Sequence, residues 1–299
     1  MVCMFSRVCL IPLIILLGTL QIYISMNKLS VQSGPQITGD ASLEDLHIEQ
    51  LVEEFKEKYG MNRVMYSFWR VVFYNDYELT SGLLKAPTKK IGDYIDTTMW
   101  EVDMTYMQPG VVNDVVIREM FVSGAIEMSR DAKANVLVIG MGAGHINTLL
   151  YLTYPNLNIT AIELEWPMIR VGLKWFGLKI DGRHTVEAMD GISFLKKAAI
   201  SGHKYDVIHI DACVMSFEED INCPTKAFLP PLVVKNIHRL LSDKGVQGVK
   251  DAYKKYFREC KTEVVPIDKG NVIVSCTKQL RPKGLKEKYN IFLGRKEQD

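Results

Sequence analysis

The chain has 299 residues, 47% of them hydrophobic and 24% charged, which is ordinary globular composition with ample material for a buried core. Its 36 Lys and Arg balance 35 Asp and Glu, leaving a formal net charge of +1. That balance excludes a strongly charged surface aimed at a phosphate backbone, so a nucleic-acid partner is not expected.

Residues 8–26, VCLIPLIILLGTLQIYISM, form a run of nineteen without one Asp, Glu, Lys or Arg. As a helix this run would reach about 28 Å, enough to cross a bilayer core. It predicts an uncleaved transmembrane anchor within residues 1–30, with membrane attachment through residues 8–26 and a single pass. A cleaved signal peptide is the competing reading, but the run is long and ends in IYISMNK without small residues at a cut site. The side of the membrane stays open. Arg7 before the run and Lys28 after it weakly favour a carboxyl part outside the cytosol, whereas the cysteines show no disulfide framework and fit a reducing compartment.

Residues 31–42, polar and carrying Gly and Pro, read as a linker. Apolar residues at spacings of three and four predict an amphipathic helix over 43–59, stopped by Gly60. Residues 63–84, rich in aromatic and β-branched side chains around YNDY, predict a β-hairpin. Residues 43–108 thus read as a small β-rich module, and 109–299 as the main domain.

The main domain opens with a helix expected over 110–128. Strands and helices then alternate: strand NVLVIG, helix INTLLYLTY, strand NITAIELE, helix PMIRVGLKWFGL, strand HTVEAM, helix GISFLKKAAI, strand YDVIHIDA and helix KAFLPPLVVKNIHRLL. Such alternation implies an α/β fold with a parallel sheet covered on both faces. KTEVVPID and NVIVSCTK near the end read as an antiparallel hairpin.

Open α/β sheets bind ligands at the carboxyl ends of their strands. The first strand runs into Gly140, Gly142 and Gly144, where backbone without Cβ can approach a ligand ahead of a helix N-terminus. The second ends at Glu163, nineteen residues beyond Gly144, a spacing at which a carboxylate can take both ribose hydroxyls of an adenosine. The third leads to Asp190 and Gly191, and the fourth to Asp211. A dinucleotide fingerprint would need glycine where His145 stands, and no P-loop lysine is present. A nucleoside without phosphates and with positive charge is the ligand these acids suit, and S-adenosylmethionine meets that description. His145 reads as a first-turn helix residue without a chemical role, and Trp175 and Phe176 as core. The cysteines at 213, 223, 260 and 276 show no CxxC pair and no nearby His at ligand spacing, so buried free thiols and no metal site are expected.

VLVIGMGAG, AIELEWPMIRVGLKWFGL, AMDGISFLKK, YDVIHIDA and CPTKAFL together resemble the spermidine synthase-like branch of the class I methyltransferases, from about residue 103 to 246 and again from about 257 to 278. The resemblance implies a Rossmann-like sheet and S-adenosylmethionine as cofactor. It implies that Gly140, Gly142 and Gly144 line its methionine side, Glu163 holds the ribose, and Asp190 with Gly191 reaches the adenine. Asp211 would be the catalytic residue at the reacting end, positioning an amine, with Asp103 and Tyr106 matching a substrate-side segment loosely. A membrane-anchored methyltransferase acting on a protein amine follows, with a protein substrate and a homodimer as expected partners. A non-catalytic scaffold on the same fold is the alternative. Aminopropyl transfer comes third, because polyamine synthases carry an aspartate where Ala143 stands. The resemblance also predicts that a strand is lost: Gln247 and Gly248 lead directly into VKDAYKKYF, so the fifth strand of the sheet is expected to be missing.

Overall fold

The computed structural model describes residues 19–25, 42–43, 65–74, 77–85, 95–96, 99–214, 223–247, 253–267 and 271–294. They belong to two compact units, Met1–Asp103 and Met104–Asp299.

In the first unit β1 (Thr19–Ser25) runs parallel to β3 (Met65–Tyr74), which pairs antiparallel with β4 (Tyr77–Leu83). β3 and β4 are the hairpin expected around YNDY. Two-residue strands β2 (Ser42–Leu43) and β5 (Ile95–Asp96) pair antiparallel. Trp69, Val71 and Val72 are buried, and so is Arg70, whose Nη2 donates to the Trp100 carbonyl at 2.9 Å. A buried guanidinium needs such a partner.

The expected anchor helix is corrected by β1. Residues 19–25 of the apolar run are a strand, consistent with the β-forming Thr19, Ile22, Tyr23 and Ile24. The rest of the run lies outside the described residues, and no helix among those described is long and apolar enough to cross a membrane. Residues 31–41 of the linker and the amphipathic helix from residue 44 onward also lie outside them.

The second unit is a seven-stranded sheet in the order β11-β12-β10-β9-β6-β7-β8. Its strands are β6 (Ala134–Ile139), β7 (Leu157–Glu163), β8 (His184–Ala188), β9 (Tyr205–Ile210), β10 (Leu241–Gln247), β11 (Glu259–Val264) and β12 (Val272–Thr277). The helices are α1 (Val112–Val122), α2 (His145–Thr153), α3 (Trp166–Trp175), α4 (Gly191–Ser201), α5 (Pro231–Leu240) and α6 (Leu285–Phe292). Strand β6 shows why helices must cover both faces. Its Val136 and Val138 enter a core with α1 and α2, while Leu137 and Ile139 enter another with α4 and α5.

The helix expected as one piece from Lys226 is broken. A 3-10 turn, Lys226–Phe228, precedes α5, because Pro231 disfavours helical backbone at Pro230. Helix α6 was not anticipated: LKEKYNIF is short and mostly polar, and one buried anchor, Tyr289, packs its ring 5.6 Å from that of Phe121.

The fifth parallel strand is present, which corrects the expected gap. β10 starts at Leu241, immediately after α5, and draws on LSDKGVQ, which reads as a connection. It pairs parallel with β9 and antiparallel with β12. Between its paired positions it advances from Leu241 to Val246 while β9 advances only from Tyr205 to Val207, so the extra residues are taken up in an irregularity. Val246 stands level with Val207.

Candidate active site

The turn after β6 holds three glycines with positive φ: Gly140 at 79°, Gly142 at 56° and Gly144 at 85°. At Gly140 the reason is doubled. The left-handed backbone disfavours a side chain, and a Cβ would drive into the Asp211 carbonyl and come within 2.8 Å of the Ala212 nitrogen. Gly140 N–H donates to the Ile162 carbonyl and Asp211 N–H to the Ile139 carbonyl, each at 2.8 Å, which fixes the turn between the ends of β7 and β9. At Gly142 a Cβ would meet nothing within 4 Å, so the turn is open there. Gly144 caps α2, which starts at His145.

Glu163, the last residue of β7, is buried behind this turn with 8% of its surface exposed. Its Oε2 accepts from Gly142 N–H at 2.8 Å and its Oε1 from Glu165 N–H at 3.0 Å. Burial raises the Glu163 carboxyl above its ordinary range, and backbone N–H groups of Glu165, Gly142 and Leu164 oppose the rise. A carboxylate has about four lone-pair sites, so acceptor capacity remains beyond these bonds.

Asp190 is exposed and caps α4, its Oδ2 accepting from Ser193 N–H at 2.8 Å, the ordinary work of a strand-end acid. Its Oδ1 takes no hydrogen bond among the described residues. Gly191 is buried for packing: a Cβ would meet Ile139 and Phe228, so its absence lets α4 approach β6. Ala143 is buried, its carbonyl 2.7 Å from where a Cβ on Gly172 of α3 would stand. His145 opens α2 as expected, and its Nε2 lies 3.3 Å from the Tyr106 carbonyl. Phe176 is core and Trp175 half-buried. Asp103 closes the first unit, its N–H donating to the Leu83 carbonyl at 2.7 Å.

Asp211 follows β9 and is exposed. Two residues before it, on the same face of the strand, His209 is held below the ordinary imidazole range by burial, against the pull of Asp211. Its Nε2 has no hydrogen-bond partner among the described residues.

The cysteines correct the expectation of free buried thiols. Cys260 and Cys276 lie opposite each other across β11 and β12, and their sulfurs are paired. Cys213 and Cys223, ten residues apart, are also paired and both exposed. Antiparallel register joins the first pair. The Thr225 N–H bond to the Ala212 carbonyl, at 2.9 Å, aligns the arms that bear the second. Neither cause is written in cysteine spacing. Asp211, Cys213 and Cys223 each offer one ligand-type atom, all within 4.8 Å of one another, a cluster that sequence spacing did not reveal.

No family model matches the chain. An eEF1A lysine and N-terminal methyltransferase homolog of Drosophila melanogaster is 29% identical over 117 residues, 39% of this chain and 17% of that protein. The eEF1A lysine and N-terminal methyltransferase of Xenopus laevis matches with the same identity, length and coverage. A polyamine aminopropyltransferase of Vibrio vulnificus is 27% identical over 77 residues, 26% of this chain and 26% of that protein. The matches to the eEF1A methyltransferases thus span about a sixth of those proteins' length. The crystal structure of human methyltransferase-like protein 13 in complex with SAH superposes with a TM-score of 0.54 at 20% identity, covering 62% of this chain and 93% of that one. In sequence the chain resembles the spermidine synthase-like methyltransferases, and in architecture it has the Rossmann-like methyltransferase fold.

Proposed function

We propose that the chain is an S-adenosylmethionine-dependent methyltransferase acting on a protein amine. The observation that carries this reading is an open glycine turn after β6 joined by carboxylates after the next three strands in sequence: Glu163, Asp190 and Asp211. The residues fit the ligand. Gly142 leaves room at the turn, Glu163 keeps acceptor capacity for two ribose hydroxyls, and Asp190 Oδ1 can accept from an adenine amine. Gly140 and Gly144 shape the methionine side, and Gly191 sets the approach of α4. The sequence resemblance to eEF1A methyltransferases supports the same choice of cofactor and a protein as acceptor.

When bound, the cofactor supplies a methyl group activated by a sulfonium. Asp211 accepts an N–H from the acceptor amine and aims its lone pair, so most of the rate comes from positioning. Replacing Asp211 by Asn keeps the shape but weakens the acceptor. We expect labelled-methyl transfer to an amine-bearing protein mixture to fall about ten- to a hundredfold in Asp211→Asn while cofactor affinity stays within about twofold. Equal transfer by both proteins would remove Asp211 from the mechanism.

Aminopropyl transfer is disfavoured at Ala143, whose buried methyl offers no oxygen to an amine. A binding or scaffold role on the same fold is the alternative. Cofactor bound without transfer to any protein amine is the outcome that role predicts.

A further inference from the structure

Asn147, in the first turn of α2, and His184, which opens β8, are both fully buried, and neither has a task in methyl transfer itself. Asn147 Nδ2 lies 2.8 Å from His184 Nε2. An amide nitrogen only donates, so Nε2 must be the unprotonated ring nitrogen, the one that accepts. Burial lowers the His184 pKa to about 4, and the ring therefore keeps that lone pair near pH 7. Asn147 Nδ2 also donates to Met141 Sδ at 3.9 Å, whereas Asn147 Oδ1 has no hydrogen-bond partner among the described residues. A buried acceptor without a partner is costly, so this orientation of the amide needs a cause. The His184 lone pair supplies it: turned over, the amide would set Oδ1 against that lone pair and withdraw Nδ2 from it. His184 is itself held, its N–H donating to Asp181 Oδ1 at 2.9 Å and its ring 5.2 Å from that of Tyr151.

These contacts end on the glycine turn. Met141 and Gly144 stand on either side of Gly142, and the Gly144 N–H closes onto the Met141 carbonyl at 2.9 Å. Side chains on a helix slant toward its N-terminus, which brings Asn147 back under Gly144. A Cβ on Gly144 would come within 3.2 Å of Asn147 Nδ2. Glu163 Oε2 holds the same turn through the Gly142 N–H at 2.8 Å. We propose that Asn147 and His184 are positioning residues for this turn: the His184 Nε2 lone pair fixes the Asn147 amide, and the amide anchors Met141 and Gly144 so that Gly142 stays open to the cofactor. The proposal rests on the reading of the turn as the S-adenosylmethionine site. Both residues act through the turn. An apolar pair of similar volume would fill the same space without orienting anything, and that difference separates positioning from packing.

The test uses the full chain at pH 7. Calorimetric titration reads S-adenosylmethionine affinity, amide hydrogen exchange without cofactor reads the turn at Gly142 and Gly144, and a urea midpoint reports folding. His184→Gln returns an acceptor oxygen near the place of Nε2 and should bind within about twofold of the native chain. Asn147→Leu with His184→Leu replaces both partners by apolar groups, which leaves no amide unpaired in the core and is expected to fold. It should bind at least about fivefold more weakly than the native chain, with faster exchange at Gly142 and Gly144. Asn147→Ala is the second variant, with the same losses expected, should the apolar pair not fold. A folded apolar pair that binds within about twofold and exchanges like the native chain would overturn the proposal, as would a His184→Gln chain that loses as much as the apolar pair. Absence of binding by the native chain speaks against the methyltransferase, and exchange in the cofactor-free chain then still decides whether the pair holds the turn.

Discussion

Glu163 shows what one residue contributes and how much of that contribution is written in sequence. Its place at a strand end, nineteen residues past Gly144, is legible. Its bonds to Gly142 and Glu165 are not, because they depend on the left-handed path of the turn. Gly140→Ala should therefore be costly twice over. A left-handed alanine costs about 1–2 kcal/mol before any clash, and the clash here is with Asp211 backbone. A fall in the urea midpoint of the second unit larger than that expected from the conformational cost alone is the outcome to measure. His184 makes a pH prediction. It is fully buried with Asn147 Nδ2 2.8 Å from its Nε2, an arrangement that suits a neutral ring accepting from the amide, and burial lowers its pKa from 6.5 to about 4. The unfolded chain then binds the extra proton between these values, so the stability from this group is complete above pH 6.5 and is lost as pH falls toward 4. The total is about 3 kcal/mol. Unfolding free energies at pH 7 and pH 4.5 should differ less in His184→Gln, and an unchanged difference would clear His184 of the effect.

Among elements, the alternating strands and helices from residue 134 to 210 are legible because each has enough apolar residues at one period. Elements that miss that condition are not. Helix α6 has a single buried aromatic anchor, and β10 borrows a polar connection whose pairing is supplied by its neighbours β9 and β12. Tyr289→Ala should cost about 3–5 kcal/mol, since it empties a fully packed aromatic position against Phe121. Helix α1 is tied to the sheet's far edge by charge as well. Glu119, 4% exposed, accepts from Arg281 at 2.8 Å and from Lys261 at 3.4 Å. Removing Arg281 leaves a buried carboxylate with one long bond, and about 3 kcal/mol of stability should go with it. Arg281→Lys should recover part of that loss in the same denaturation measurement, because a charge returns without the fork that also reaches Ser275.

For the whole molecule, the sheet order places the glycine turn and the acids at the carboxyl ends of neighbouring parallel strands, where such a sheet accepts a ligand. The first unit is a separate matter. Its hairpin is legible in the aromatic and β-branched residues of β3, whereas the apolar run before it reads as a helix by length and hydropathy and yet contributes a strand. Pairing with β3 decided its structure, and no single-chain periodicity reports a partner. Calorimetric titration of S-adenosylmethionine into the full chain and into Glu163→Ala tests the central claim most directly. Saturable binding in the micromolar range by the native chain, weakened at least about tenfold in the folded variant, is the predicted result. Absence of binding by well-folded native chain would contradict it.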